Sequence, residues 1–111
     1  TLVGLNQLLE INPNNADTLM SRYEESLANL NKSLEIDPNS ACALVIRGEI
    51  YRITNIYEES LADLNKSLEI DPINTSALAI RGITYHMMSR HEESLANLNK
   101  SLEIDPNYVF A

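Results

Sequence analysis

A sixteen-residue stretch, YEESLADLNKSLEIDP at residues 57–72, returns almost unchanged at 23–38 and 91–106, each copy 34 residues from the next. The copies differ only at Asn29, Asp63 and Asn97 and at the opening Tyr23, Tyr57 or His91. A fixed period in the 20–50 residue range is the signature of stacked supersecondary units, each unable to bury its apolar side alone. It constrains this chain more than any local motif.

Each copy reads as a helix. Tyr57, Leu61, Leu64 and Leu68 recur at helical spacing, while Glu58, Glu59, Asp63 and Lys66 fall on the outward side, and Pro72 ends the run. His91, Leu95, Leu98 and Leu102 make the same stripe before Pro106. The segments between copies supply a second kind of helix. Ser40 is a good N-cap for a helix to residue 53, with Ala41, Leu44, Gly48 and Tyr51 on one face. Asn74 caps its successor, whose face holds Thr75, Leu78, Gly82 and Tyr85. A glycine inside a helix costs about 1 kcal/mol relative to alanine. Gly48 and Gly82 therefore imply close approach of a partner helix. Asn55 with Glu58, and Ser89 with Glu92, have the spacing of capping boxes for the helices that follow.

The period fails near the start. Pro38 to Tyr57 and Pro72 to His91 are each 19 residues apart, but Pro13 to Tyr23 is 10, nine fewer. MSRYEES at 20–26 matches MSRHEES at 88–94, so the deletion precedes Met20. Residues 1–15 read as the partial second helix of a preceding repeat, with Leu2, Leu5, Leu8 and Leu9 on its apolar face, Gly4 weakening it and Pro13 closing it. A first helix in the shortened repeat 16–38 would keep only about one turn, too short to nucleate. Two outcomes compete: a surviving turn at Ser21, capped through Ser21-Arg22-Tyr23-Glu24, or one fused helix over 16–36. No Gly or Pro interrupts 16–36 and strong helix formers dominate the junction, which favours fusion. Residues 39–72 and 73–106 are full repeats, and 107–111 a short tail, all in a single domain.

A 34-residue helix–turn–helix unit with an internal Gly, a Tyr three residues on and a closing Pro resembles the tetratricopeptide repeat. The signature positions fall on Leu44, Gly48, Tyr51, Ser60, Leu64, Ser67 and Pro72, then on Leu78, Gly82, Tyr85, Ser94, Leu98, Ser101 and Pro106. Leu replaces the usual aromatic early in the first helix, Arg47 and Arg81 precede the glycines, and Ser stands where Ala is commoner. The resemblance implies an all-α, right-handed solenoid of antiparallel helix pairs, and a non-enzymatic scaffold that grips a peptide or helix of a partner protein. It places groove candidates at Cys42, Val45, Glu49 and Arg52, then Ser76, Ala79, Ile83 and His86. One Arg and one Glu among apolar residues suit an apolar or weakly polar segment better than a C-terminal carboxylate.

Sixteen acidic against eight basic residues, net −8, argue against nucleic acid and anionic membrane surfaces as partners. The single Cys42 excludes an internal disulfide, and neither it nor His86 or His91 has metal-ligand spacing, so no metal or cofactor is expected. The pairs Glu24-Glu25, Glu58-Glu59 and Glu92-Glu93 are adjacent residues of a first helical turn. They point apart and favour the helix dipole, which removes them as catalytic carboxylate pairs. No phosphate-cradling loop or nucleophile motif occurs, and the sequons at Asn31, Asn65, Asn74 and Asn99 read as by-products of the repeat. Without a signal peptide or long apolar run, a cytoplasmic location is the expectation. Two intact repeats are fewer than such arrays generally need. Uncovered apolar ends then predict a homo-oligomer, in the simplest case a dimer in which the 16–36 helix reaches into a second chain.

Overall fold

A computed structural model describes residues 15–107, with side chains from Asp17 onward. Among the described residues there are five helices: α1 (Asn15–Ile36), α2 (Ala41–Ile53), α3 (Tyr57–Ile70), α4 (Thr75–Met87) and α5 (His91–Ile104). The chain therefore resolves the choice at Ser21 in favour of fusion. α1 is one continuous helix of 22 residues, about 33 Å long at 1.5 Å per residue, and no turn survives at Ser21. The proposed helix and leucine stripe of 1–15, and all but Asn107 of the 107–111 tail, lie outside the described residues.

From α2 to α5 the helices alternate between 13 and 14 residues and pack as antiparallel pairs, α2 with α3 and α4 with α5. The glycines explain how closely they pack. A Cβ on Gly48 would stand 3.0 Å from Leu64 Cγ and 3.3 Å from the Ser60 carbonyl oxygen. On Gly82 it would stand 2.9 Å from Leu98 Cγ and 3.2 Å from the Ser94 carbonyl oxygen. The serines that stand where alanine is commoner use the same proximity. Ser60 Oγ donates to the Gly48 carbonyl at 2.7 Å, Ser67 Oγ to Ala41 at 3.1 Å and Ser101 Oγ to Thr75 at 3.2 Å. Each of these three buried hydroxyls is thereby satisfied, which avoids the cost of a lost hydrogen bond in the interior. Between the pairs, Val45, Leu64, Leu68, Ala77, Leu78 and Ile80 form one core cluster, and Leu34, Ala43 and Leu44, flanked by Leu30, another.

The helix ends follow the sequence in part. Ser40 and Asn74 cap α2 and α4, accepting from the Ala43 and Ala77 amides. The capping boxes at Asn55 and Ser89 do not form. Both residues have positive φ, 66° and 61°, and close the preceding helix instead. Ile56 N–H donates to Tyr51 and Asn55 N–H to Arg52, as Arg90 N–H does to Tyr85 and Ser89 N–H to His86. This is the Schellman pattern, in which a left-handed residue turns the chain back over the last carbonyls. Asn tolerates that conformation better than most residues.

A second correction concerns Asp63, read from the sequence as outward. It is buried, and Arg47 on α2 holds it through two bonds, Nε to Oδ2 at 2.8 Å and Nη2 to Oδ1 at 2.7 Å. The third nitrogen, Nη1, donates to Asn31 Oδ1 on α1 at 2.9 Å. Arg81 repeats the bridge one unit on, to Asn97 Oδ1 at 2.7 Å and Asn65 Oδ1 at 3.0 Å. Each arginine thus ties its own pair to the second helix of the preceding unit. The hydrogen bond to Asp63, together with its charge, raises the pKa of Arg47 against the opposing effect of burial.

The two bridges predict unequal losses. Arg47→Ala leaves a carboxylate in the interior without a partner and is expected to cost about 2–3 kcal/mol, the lower part of the range for buried pairs because Arg47 is itself a quarter exposed. Arg81→Ala removes neutral acceptor contacts and is expected to cost about 1 kcal/mol. Urea unfolding of the two variants checks the order, and equal losses would contradict it.

Candidate functional site

The face of α2 and α4 turned away from their partners is the surface on which the sequence places a binding groove. Its eight residues do not share one environment. Cys42 and His86 are exposed, and Glu49, Ser76 and Ile83 are partly so. Val45 and Ala79 are buried, Val45 within the core cluster between the pairs. They are packing residues and offer a ligand little surface, because α2 and α4 touch one another directly. The open lining is therefore Cys42 and Glu49 on α2 and Ser76, Ile83 and His86 on α4, more apolar toward α4, with Arg52 buried beside it.

Arg52 is the unusual member. Only 8% of its side chain is exposed, yet Nε and Nη2 have no hydrogen-bond partner. The Glu49 carboxylate approaches Nη2 at 3.9 Å, too far for a hydrogen bond. Burial pulls its pKa below the usual arginine value, against the opposing influence of Glu49, Tyr57 and Tyr23. Tyr23 responds in kind: burial and the nearby Glu49 charge raise its pKa, and Arg52 counters them. Nε and Nη2 are one edge of the guanidinium fork, the edge that takes a carboxylate in two parallel bonds.

At the far end of α4 a cavity of about 430 Å³ opens between Ile83, His86, His91, Ser94, Leu95 and Leu98. The His86 and His91 rings meet at its rim, 5.3 Å between centroids and tilted by 58°. Sequence reasoning did not bring these two histidines together. The repeat offers the signal: they occupy the positions of Arg52 and Tyr57. Among the described residues no group of three His, Cys, Asp or Glu could hold a metal ion, and no helix is long and apolar enough to cross a membrane.

Stacked antiparallel pairs tied by a repeated arginine bridge define a helical repeat protein. The chain belongs to the tetratricopeptide repeat family, whose sequence profile matches residues 43–74 and 75–108. No curated protein matches the sequence. Solved structures share the fold at low identity. YrrB, described as a TPR protein with an unusual peptide-binding site, aligns over 82% of this chain at 23% identity and a TM-score of 0.74. The Arabidopsis OM64 TPR domain aligns over 85% of this chain and 78% of its own at 18% identity and 0.77. The first TPR of Spaghetti (RPAP3), bound to the HSP90 peptide SRMEEVD, aligns over 85% of this chain and 75% of its own at 21% and 0.76. This chain spans 47% of YrrB, about half.

Arg52 gives this face a measurable property. A desolvated cation with two unbonded donors is a net cost to the free protein. Arg52→Leu is therefore expected to stabilise the chain by about 1–2 kcal/mol. Thermal and urea unfolding test this, and a loss of stability would mean that the guanidinium is better paired than its geometry indicates.

Proposed function

We propose that the chain is a non-enzymatic scaffold that binds a peptide or helix of another protein along the open face of α2 and α4. The observation that carries this reading is the open part of that face, where Cys42 and His86 are exposed and Glu49, Ser76 and Ile83 partly so, beside the buried guanidinium of Arg52 whose Nε and Nη2 have no hydrogen-bond partner. The peptide-binding site named for YrrB and the HSP90 peptide bound to the RPAP3 repeat support a peptide as the ligand class. The lining favours a short segment with an apolar side chain toward Ile83. A carboxylate reaching Arg52 would have to displace the influence of Glu49, so an unmodified acidic tail is a poorer fit than a mainly apolar segment with one acidic group. A net charge of −8 disfavours strongly acidic partners for the same reason.

Selection from a displayed peptide library tests this, followed by titration of the selected peptides. The expected result is micromolar binding that Glu49→Arg combined with Ile83→Asp weakens by about tenfold or more. Binding unaffected by that pair would remove the α2 and α4 face as the site.

A second reading, self-association, has its own observation. Ser33 on α1 is exposed, whereas Ser67 and Ser101, in the same register of α3 and α5, are buried and bonded to the first helix of their pairs. α1 has no such first helix among the described residues, and a second chain could cover the open side of α1. Light scattering across a dilution series is then expected to give twice the 12.5 kDa chain mass at micromolar concentration. A monomer throughout would dismiss this reading and leave the first intact.

A further inference from the structure

The bridges at Arg47 and Arg81 differ in one acceptor, and the difference leaves a charge unanswered. Arg47 is neutralised by Asp63, whose two oxygens take Nε and Nη2. Arg81 meets Asn97 at the same place. Oδ1 of Asn97 accepts from Arg81 Nε at 2.7 Å, but Nδ2 is a donor and is turned to the Glu93 carbonyl at 2.7 Å. Asn65 Oδ1 takes Nη1. Among the described residues Arg81 Nη2 has no hydrogen-bond partner, and no carboxylate pairs with its guanidinium.

Each arginine lines a cleft where three consecutive helices meet. The cleft of α1, α2 and α3 around Arg47 measures about 530 Å³, and that of α3, α4 and α5 around Arg81 about 390 Å³. Their linings correspond in the 34-residue register: Leu34, Glu35 and Lys66 in the first are Leu68, Glu69 and Lys100 in the second. Neither lysine and neither glutamate enters an ion pair among the described residues. Formal charge therefore separates the two clefts. In the first, Arg47 and Lys66 are balanced by Asp63 and Glu35. In the second, Arg81 and Lys100 stand against Glu69 alone, a surplus of one positive charge. The first cleft also shows that a following unit does not fill such a space, since α4 and α5 come after it and it stays open. The second does not owe its opening to lying in the last described pair.

We infer that the cleft of α3, α4 and α5 is a binding site for a carboxylate, a single negative charge on a small apolar body. One carboxylate oxygen takes Arg81 Nη2, the donor that Asp63 occupies on Arg47, and Lys100 supplies the second cation. Leu68 and Leu78 close the floor and Pro72 stands exposed at the rim, which suits a short aliphatic group. A phosphate fits less well, because its second charge exceeds the surplus and adds repulsion from Glu69. The same carboxylate is available on a free acid or on an acidic side chain of a peptide. No residue of the α2 and α4 groove lines this cleft, so it stands or falls apart from the reading above.

The probes are 3-methylbutanoate, a free acid, and acetyl-Leu-Glu-amide, a peptide, each titrated into the full chain and followed by NMR at the arginine Nε and backbone amides. Saturable millimolar binding of at least one is expected, with shifts at Arg81 Nε and the Asn97 amide. The stronger of the two identifies the source of the carboxylate, and uncharged 3-methylbutanamide is expected not to bind. Asn97→Asp gives Arg81 the acceptor that Arg47 has and is expected to weaken binding by about tenfold or more. Asp63→Asn is expected to do the reverse and add a second site that shifts Arg47 Nε. Both exchanges place a residue that the neighbouring copy already carries, so the fold is kept, and thermal unfolding confirms it. Lys100→Gln is expected to weaken binding about threefold and Glu69→Gln to tighten it by about the same factor. Four results would overturn the proposal: no saturation by either probe, binding unmoved by Asn97→Asp, tighter binding of inorganic phosphate than of both carboxylates, or loss on Glu49→Arg with Ile83→Asp, which would place the probes in the groove.

Discussion

Everything in this array depends on how near the two helices of a pair can come. At Gly48 and Gly82 an added methyl would press on leucine carbons at 3.0 and 2.9 Å, so the separation exists only because no Cβ is there. That separation lets Ser60, Ser67 and Ser101 reach carbonyls across the pair. It also buries Leu64 completely. A wider gap would strand hydroxyls in the interior and open voids beside the leucines, and both are costly. The pair is therefore a rigid brick, and a rigid brick presents its outer leucines in one fixed pattern.

How bricks join is a separate question, and the arginine before each glycine answers it. Its nitrogens, three in Arg47 and two in Arg81, divide between two second helices, one in its own pair and one in the unit before. In a repeat array the junction energies decide whether neighbouring units fold together. A guanidinium shared between units couples them in direction as well as strength, since only the fork geometry satisfies both acceptors. The one interior position that varies among the three copies, Asn29, Asp63 or Asn97, is where two of these arginines bond their own pair. A charged acceptor stands in the middle unit, which has neighbours on both sides.

Much of this was legible in the residues. Period, helix faces, proline stops, the caps at Ser40 and Asn74, and the fused α1 all follow from local rules that tertiary structure did not override. Other features were not, for identifiable reasons. Asn suits both an N-cap and a left-handed helix end, so Asn55 fits two roles and takes the less expected one, and Ser89, an N-cap former by type, takes the same left-handed place one repeat on. Asp63 sits on the polar side of its own helix, and only an arginine 16 residues earlier, across the turn, makes it an interior group. Val45 and Ala79 belong to the predicted groove by position, but contact between α2 and α4 makes them core. The copies cannot reveal which leucines are covered, because Leu61 and Leu95 have the same local sequence and differ only in what lies beyond.

That last point bears on what the nine-residue deletion does. A second helix has two sides to cover: one faces the first helix of its own pair, the other the first helix of the next unit. α3 has both, α5 lacks the second among the described residues, and α1 lacks the first. Among the described residues, then, both ends of the array present one helix side without the first helix that covers it in the middle unit. Mutual packing of α1 helices would shelter one end and leave α5 as it is.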